Sequence, residues 1–135
     1  MIQHETTLRV RYAETDQMGY VYYGNYFTYY EVGRVELIRY LGVTYKQLEE
    51  NGVMLPVLEA SCKYIRPARY DDYLTLQTTI KEKPGIRIKF DYELRNAQQE
   101  LLNVGQTTLV FVNTQTMKPC DIPELMKKIM YPYFD

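Results

Sequence analysis

Residues 24–41 read Gly24-Asn25-Tyr26-Phe27-Thr28-Tyr29-Tyr30-Glu31-Val32-Gly33-Arg34-Val35-Glu36-Leu37-Ile38-Arg39-Tyr40-Leu41. Tyr26, Phe27, Tyr30, Leu37, Ile38, Tyr40 and Leu41 recur at helical spacing and cover nearly half of the helical circumference. Thr28, Glu31, Glu36 and Arg39 lie opposite, with Val32 and Val35 interrupting that polar side. An apolar arc this wide predicts a helix largely enclosed by other structure. Arg34 falls inside the arc, which predicts a carboxylate partner for it. Gly42 is the stop signal. Thr44 then opens a short second helix that Asn51-Gly52 ends.

The enclosing structure is legible on both sides of the helix. From about residue 4 to residue 12 the chain alternates, with Thr6, Leu8, Val10 and Tyr12 on one face and Arg9 and Arg11 on the other, the pattern of a strand with one buried face. After the second helix Leu58, Ala60, Cys62 and Tyr64 alternate with Glu59, Ser61 and Lys63, and Leu74, Leu76, Thr78 and Ile80 alternate with Thr75, Gln77, Thr79 and Lys81. Pro84-Gly85 marks a hairpin turn. Beyond it Ile86, Ile88, Phe90, Tyr92 and Leu94 alternate with Arg87, Lys89, Asp91, Glu93 and Arg95. A last strand runs from about residue 100 to residue 113, and Pro123 opens a short C-terminal helix. The order is strand, long apolar helix, short helix, then about four long strands. Short turns between successive strands predict antiparallel pairing, and an amphipathic sheet and an apolar helix bury one another. The expected fold is α+β: an antiparallel sheet of about five strands curled around one long helix. At 135 residues the chain suits a single domain over residues 1–135, with no internal repeat or linker.

Sixteen basic and 17 acidic residues give a net charge of −1, which argues against a nucleic-acid partner. Cys62 and Cys120 are far apart and match no metal or redox spacing, so they read as reduced thiols of a cytoplasmic protein. The first residues lead straight into a strand and do not resemble a signal peptide. No apolar run approaches the length of a membrane span. No His/Cys/carboxylate spacing fits a metal site, and the one histidine, His4, belongs to the surface of the first strand. There are 15 Tyr and no Trp, so much of the aromatic surface carries a hydroxyl and suits a partly wet cleft or an interface.

Between the first strand and the long helix lies Glu14-Thr15-Asp16-Gln17-Met18-Gly19-Tyr20-Val21-Tyr22-Tyr23-Gly24-Asn25-Tyr26, followed by Glu31-Val32-Gly33-Arg34. This run resembles the signature of the 4-hydroxybenzoyl-CoA thioesterase family, to which many acyl-CoA thioesterases belong. Arg66-Pro67-Ala68-Arg69-Tyr70-Asp71-Asp72 resembles the turn before that family's third strand, so the likeness extends over essentially the whole chain. The resemblance implies the hotdog fold and an acyl-thioester held in a cleft between two subunits. It also implies Asp16 as nucleophile or general base, and the backbone N–H of Tyr23 as the donor that polarises the thioester carbonyl. Many relatives of the cell-envelope type carry His where this chain has Tyr23, so Asp16 is expected to work without a histidine. A hotdog dehydratase, which relies on such a histidine, is the poorer match.

The chemistry is sound on its own terms. Thioester hydrolysis develops negative charge on the carbonyl oxygen, and fixed donors aimed there stabilise the transition state. A helix start supplies unpaired N–H groups and the positive end of a dipole. Gly24 allows substrate to approach the backbone closely. A carboxylate must then attack the carbonyl or draw a proton from water. Asn25 reads as a helix cap, with substrate contact as the alternative. Lys83, Arg87 and Lys89, with Lys81, flank one hairpin; contact with the phosphates of CoA and plain solvated charge fit them equally. The expected activity is therefore hydrolysis of an acyl-CoA to free acid and CoA, with no cofactor beyond the CoA of the substrate. An acyl-carrier-protein thioesterase of the same fold, and a non-catalytic acyl-CoA-binding domain, are the alternatives. The Tyr-rich helix start predicts a homodimer or homotetramer, because an oligomer would cover it.

Overall fold

The computed structural model describes residues 1–134. Strand β1 (Ile2–Arg9) leads through a 3-10 turn (Tyr12–Glu14) and the Asp16 loop into helix α1 (Asn25–Tyr40) and the short helix α2 (Tyr45–Glu50). Strands β2 (Val53–Met54), β3 (Val57–Tyr64), β4 (Tyr73–Ile80), β5 (Arg87–Arg95), β6 (Leu101–Val110) and β7 (Val112–Asn113) follow, and helix α3 (Glu124–Met130) closes the order before a final 3-10 turn (Tyr131–Tyr133). Five strands form one antiparallel sheet in the order β1-β4-β5-β6-β3, while β2 and β7 make a separate two-stranded ribbon. The fold is the expected hotdog arrangement.

The α2 boundaries follow from local chemistry. The Thr44 hydroxyl accepts the Gln47 N–H at 3.1 Å while the Gln47 side chain accepts the Thr44 N–H at 2.9 Å, a reciprocal cap. At the end of α1, Gly42 takes φ +101°, a left-handed conformation open to glycine.

Helix α1 crosses the sheet where two glycines remove side chains. A β-carbon on Gly33 would lie 2.5 Å from both Leu76 Cδ2 and Thr78 Oγ1, and one on Gly105 would lie 2.3 Å from Tyr30 Cε2. Thr78, Tyr92, Gly105 and Cys62 stand in one row across β4, β5, β6 and β3. Tyr30, Leu37 and Ile38 of the helix pack onto Leu74, Leu76, Ile88, Phe90, Tyr92 and Leu94 of the sheet in one continuous core.

Several expectations need correction. The first strand begins at Ile2 and ends at Arg9, because the backbone of Val10 turns to pair with Asp71 and Asp72; Tyr12 is 77% exposed instead of facing the core. Tyr40 is 68% exposed and lies against His4, while Tyr29, Gly33 and Arg34 complete the buried helix face. Ile86 lies outside β5 and is exposed. The last strand is broken at Phe111, so that Val112 and Asn113 pair with β2. Arg34 makes no salt bridge among the described residues. Its buried guanidinium faces the hydroxyls of Tyr92 and Tyr45, and its Nε has no partner. Finally, β3 and β4 do not pair as neighbours in sequence: β3 lies at the far edge beside β6, and residues 65–72 cross the end of the sheet between them.

Candidate active site

The Asp16 loop is a tight turn fastened at both ends. The Asp16 N–H donates to the Tyr20 carbonyl at 2.8 Å and the Gly19 N–H donates to the Asp16 carbonyl at 3.0 Å. Gly19, at φ +79°, takes the left-handed conformation this turn needs. Asp16 Oδ1 accepts the N–H groups of Met18 at 2.9 Å and Tyr20 at 3.3 Å. Oδ2 accepts no hydrogen bond among the described residues, so one oxygen anchors the side chain and the other is unpaired.

The crossing segment holds the loop from the far side. Tyr20 bridges to Arg69, and the Val21 N–H donates to the Ala68 carbonyl at 2.8 Å. The Ala68 N–H donates to the Tyr26 hydroxyl at 3.1 Å, which links the segment to helix α1.

Next to the loop the helix begins. Gly24 occupies the capping position and Asn25 is the first helical residue, so Asn25 is not the cap. Its Nδ2 instead donates to the Glu14 carbonyl at 2.9 Å, tying the helix start to the loop. The N–H groups of Tyr23 and Gly24 donate to no protein acceptor among the described residues, as the first turn of a helix leaves them. Gly24 has φ −64°, an ordinary helical value; a β-carbon there would sit 3.1 Å from the Tyr22 ring, so glycine serves close packing.

Asp16, Met18, Tyr23, Tyr26, Tyr64 and Arg66 contribute to the walls of an open cleft of about 340 Å³. The Tyr64 ring meets Tyr23 edge-on at 6.3 Å and lies 5.7 Å from Tyr26. Burial pushes the phenols of Tyr26 and Tyr64 above the ordinary tyrosine value, so both remain neutral donors. Burial also pushes the nearby Cys62 thiol up, away from the thiolate a cysteine nucleophile needs.

The structure thus brings Asp16, Tyr23, Gly24 and Asn25 together. It does not bring Lys83, Arg87 or Lys89 to this cleft within one chain. Lys83 sits 4.3 Å from the Tyr131 ring, Arg87 is exposed at the start of β5, and Lys89 shares a shallow depression with Lys81 and Asp91. The cation at the cleft is Arg66, paired with Glu100 at 3.6 Å. The sequence reading did not place Tyr64 and Arg66 here, because only the edge position of β3 and the crossing segment after it bring them to Asp16. Glu14, the first residue of the run that carries the family resemblance, also borders the loop, where its carbonyl holds Asn25. Burial raises its carboxyl pKa, but the Arg11 N–H, the Tyr29 hydroxyl and the Arg11 guanidinium outweigh this and hold it below the ordinary glutamate value.

The sequence profile of the thioesterase-like superfamily matches residues 10–130, nearly the whole chain and all of this cleft. The chain belongs to that superfamily. Among curated relatives, YneP of Bacillus subtilis, named as an acyl-CoA thioesterase, is 37% identical over 83% of this chain and 81% of its own. The acyl-CoA thioester hydrolase YbgC of Escherichia coli is 34% identical over 87% of each chain. A solved structure, the DHNA-CoA thioesterase of Staphylococcus aureus, superposes with a TM-score of 0.87 at 32% identity, covering 98% of this chain and 87% of that one. No helix of the described residues is long and apolar enough to cross a membrane.

Proposed function

We propose that the protein hydrolyses an acyl-CoA thioester to the free acid and CoA in the Asp16 cleft. One observation carries this reading: a carboxylate with one anchored and one unpaired oxygen shares its cleft with Tyr23, whose backbone N–H is unpaired at the start of a helix. Asp16 Oδ2 either attacks the carbonyl carbon or takes a proton from the attacking water. The Tyr23 N–H, supported by the dipole of α1, receives the charge that develops on the carbonyl oxygen. The carbon–sulfur bond breaks, the thiolate of CoA leaves, and water supplies the second oxygen of the acid. Thiolate leaves readily, so the reaction needs no metal or redox cofactor and no histidine. The names borne by YbgC and by the Staphylococcus aureus structure support the reaction class. The reduced cysteines and near-neutral charge fit a cytoplasmic enzyme.

The working form in this reading is a homo-oligomer. Edge strand β3 is exposed along nearly its whole length, with Val57, Leu58 and Tyr64 about half exposed, and Tyr64 also lines the cleft. A second copy along β3 would cover this edge and wall the cleft. Lys83, Arg87 and Lys89 would then meet the CoA phosphates where the nucleotide tail leaves the cleft.

The test is thiol release from a panel of acetyl-, hexanoyl- and benzoyl-CoA by wild type beside Asp16→Asn. Asparagine can still accept both backbone N–H groups through its Oδ1, so the variant should melt like wild type while losing ~10²–10⁴-fold in kcat. An Asp16→Asn protein with near wild-type kcat/KM would refute the assignment.

A further inference from the structure

We infer that Glu14 is the positioning residue of this site, the group that sets Asp16 against the start of helix α1. This rests on the proposed role of Asp16 and goes beyond it. Glu14 binds helix α1 through both its side chain and its backbone, and the chain carries it on directly into the Asp16 loop. Its Oε1 accepts the Tyr29 hydroxyl at 3.0 Å and the Arg11 N–H at 2.8 Å, and its Oε2 pairs with the Arg11 guanidinium at 3.3 Å. Its carbonyl accepts Asn25 Nδ2 at 2.9 Å and the Tyr22 N–H at 2.9 Å.

The geometry gives these bonds a purpose beyond general stability. Asn25 and Tyr29 lie one turn apart on α1, so both point to the same side of the helix. One residue therefore grips the first two turns of α1 with a main-chain acceptor and a carboxylate. Asp16 is two residues further on, and the unpaired N–H of Tyr23 is two residues before Asn25. The distance between carboxylate and oxyanion donor is consequently spanned by a clasp with Glu14 at its centre. The neighbouring Thr15 adds no link to the helix, since its hydroxyl goes to the Tyr12 carbonyl at 2.7 Å, within the 3-10 turn. Tyr29 is buried and its hydroxyl is raised well above the ordinary tyrosine range, first by burial and then by Glu14, so it remains a donor to this carboxylate.

Reactions that depend on orientation lose up to ~10²-fold from a misplacement of about 1 Å. Glu14→Ala should therefore lower kcat by roughly 10- to 100-fold with KM little changed. Glu14→Gln, which keeps an acceptor for Tyr29 and Arg11, should recover most of that loss. Tyr29→Phe removes only one bond of the clasp and should fall between; it serves as the second variant if Glu14→Ala folds poorly. Hydrogen exchange in residues 14–24 should accelerate in Glu14→Ala and Tyr29→Phe and stay near wild type in Glu14→Gln. In an Asp16→Asn background Glu14→Ala should cost nothing further, since a group acting through Asp16 has nothing left to position.

The outcomes separate the two ideas. Glu14→Ala with wild-type kcat, or with unchanged exchange in residues 14–24, overturns the positioning role while an inactive Asp16→Asn leaves the Asp16 assignment standing. Losses that multiply in the double variant overturn it too, because Glu14 would then act independently. An active Asp16→Asn beside an inactive Glu14→Ala overturns both.

Discussion

The ring of Tyr30 lies parallel to that of Tyr92, with centroids 4.2 Å apart and planes within 1° of each other. The Tyr30 hydroxyl donates to Asn103 Oδ1 at 2.5 Å and lies 3.2 Å from Cys62 Sγ, while the Tyr92 hydroxyl meets Thr107 Oγ1 at 2.6 Å. This stack is the seam between helix α1 and the sheet, and it exists because Gly105 leaves room for Tyr30. It also fixes how high the helix rides over the sheet, and hence where the helix start meets the Asp16 loop.

Gly105→Ala is therefore expected to destabilise the protein. The new methyl would lie 2.3–2.7 Å from two ring carbons and the hydroxyl oxygen of the fully buried Tyr30, whose hydroxyl is already held. Overpacking of this kind costs about 1–3 kcal/mol, a fall of several degrees in melting temperature that calorimetry can read. A melting point equal to wild type would mean that the helix can rise off the sheet without cost.

The carboxyl of Glu14 gives stability a defined pH dependence. Its side chain is only 15% exposed, and its folded pKa lies below the ordinary 4.5. A group whose pKa is depressed by folding contributes stability that is full above its unfolded value and lost as pH falls through the folded one. Glu14→Gln should thus melt below wild type at neutral pH, and the gap should close as pH drops below 4.5. Thermal scans of both proteins across that range check this; a gap of constant size would assign the difference to shape instead of charge.

Sedimentation at low micromolar concentration should show a dimer or larger assembly. The exposed edge of β3 carries Val57, Leu58 and Tyr64, followed by exposed Ile65, an unprotected strand edge that monomers generally shield. Leu58→Lys, which puts a charge at that edge, should shift the equilibrium toward monomer and lower activity in step. A stable, fully active monomer would remove the second copy from the site.

The pH profile of kcat/KM should be the same for His4→Gln and wild type. The His4 ring lies tilted against Tyr40 with centroids 4.8 Å apart and its Nδ1 lies 3.4 Å from Thr6 Oγ1, so its surroundings are β1 and the end of α1 and not the Asp16 cleft. A limb that vanishes with His4 would bring the histidine into the reaction and end the mechanism in which Asp16 acts without one.

Local patterns in the sequence determined the elements and half of the site. Helical spacing from Tyr26 to Ile38 marked α1, alternation marked β1, β3, β4 and β5, and the resemblance carried by residues 14–26 pointed to Asp16 beside a helix start. These features depend on neighbours within a few residues, so they are written in periodicity and turn chemistry. Tertiary structure decided the rest. Strand order is set by which faces can be buried together, not by proximity in sequence, and moving β3 to the edge beside β6 sent residues 65–72 across the end of the sheet. That arrangement brought Tyr64 at the end of β3, and Arg66 in the crossing, to Asp16 and let Ala68 and Arg69 hold the loop. The same non-local packing left Tyr12 and Tyr40 in solvent and enclosed Arg34 among tyrosines instead of beside a carboxylate. Hydrophobicity tells whether a side chain gains by burial; only the assembled layers determine whether there is a surface to bury it against.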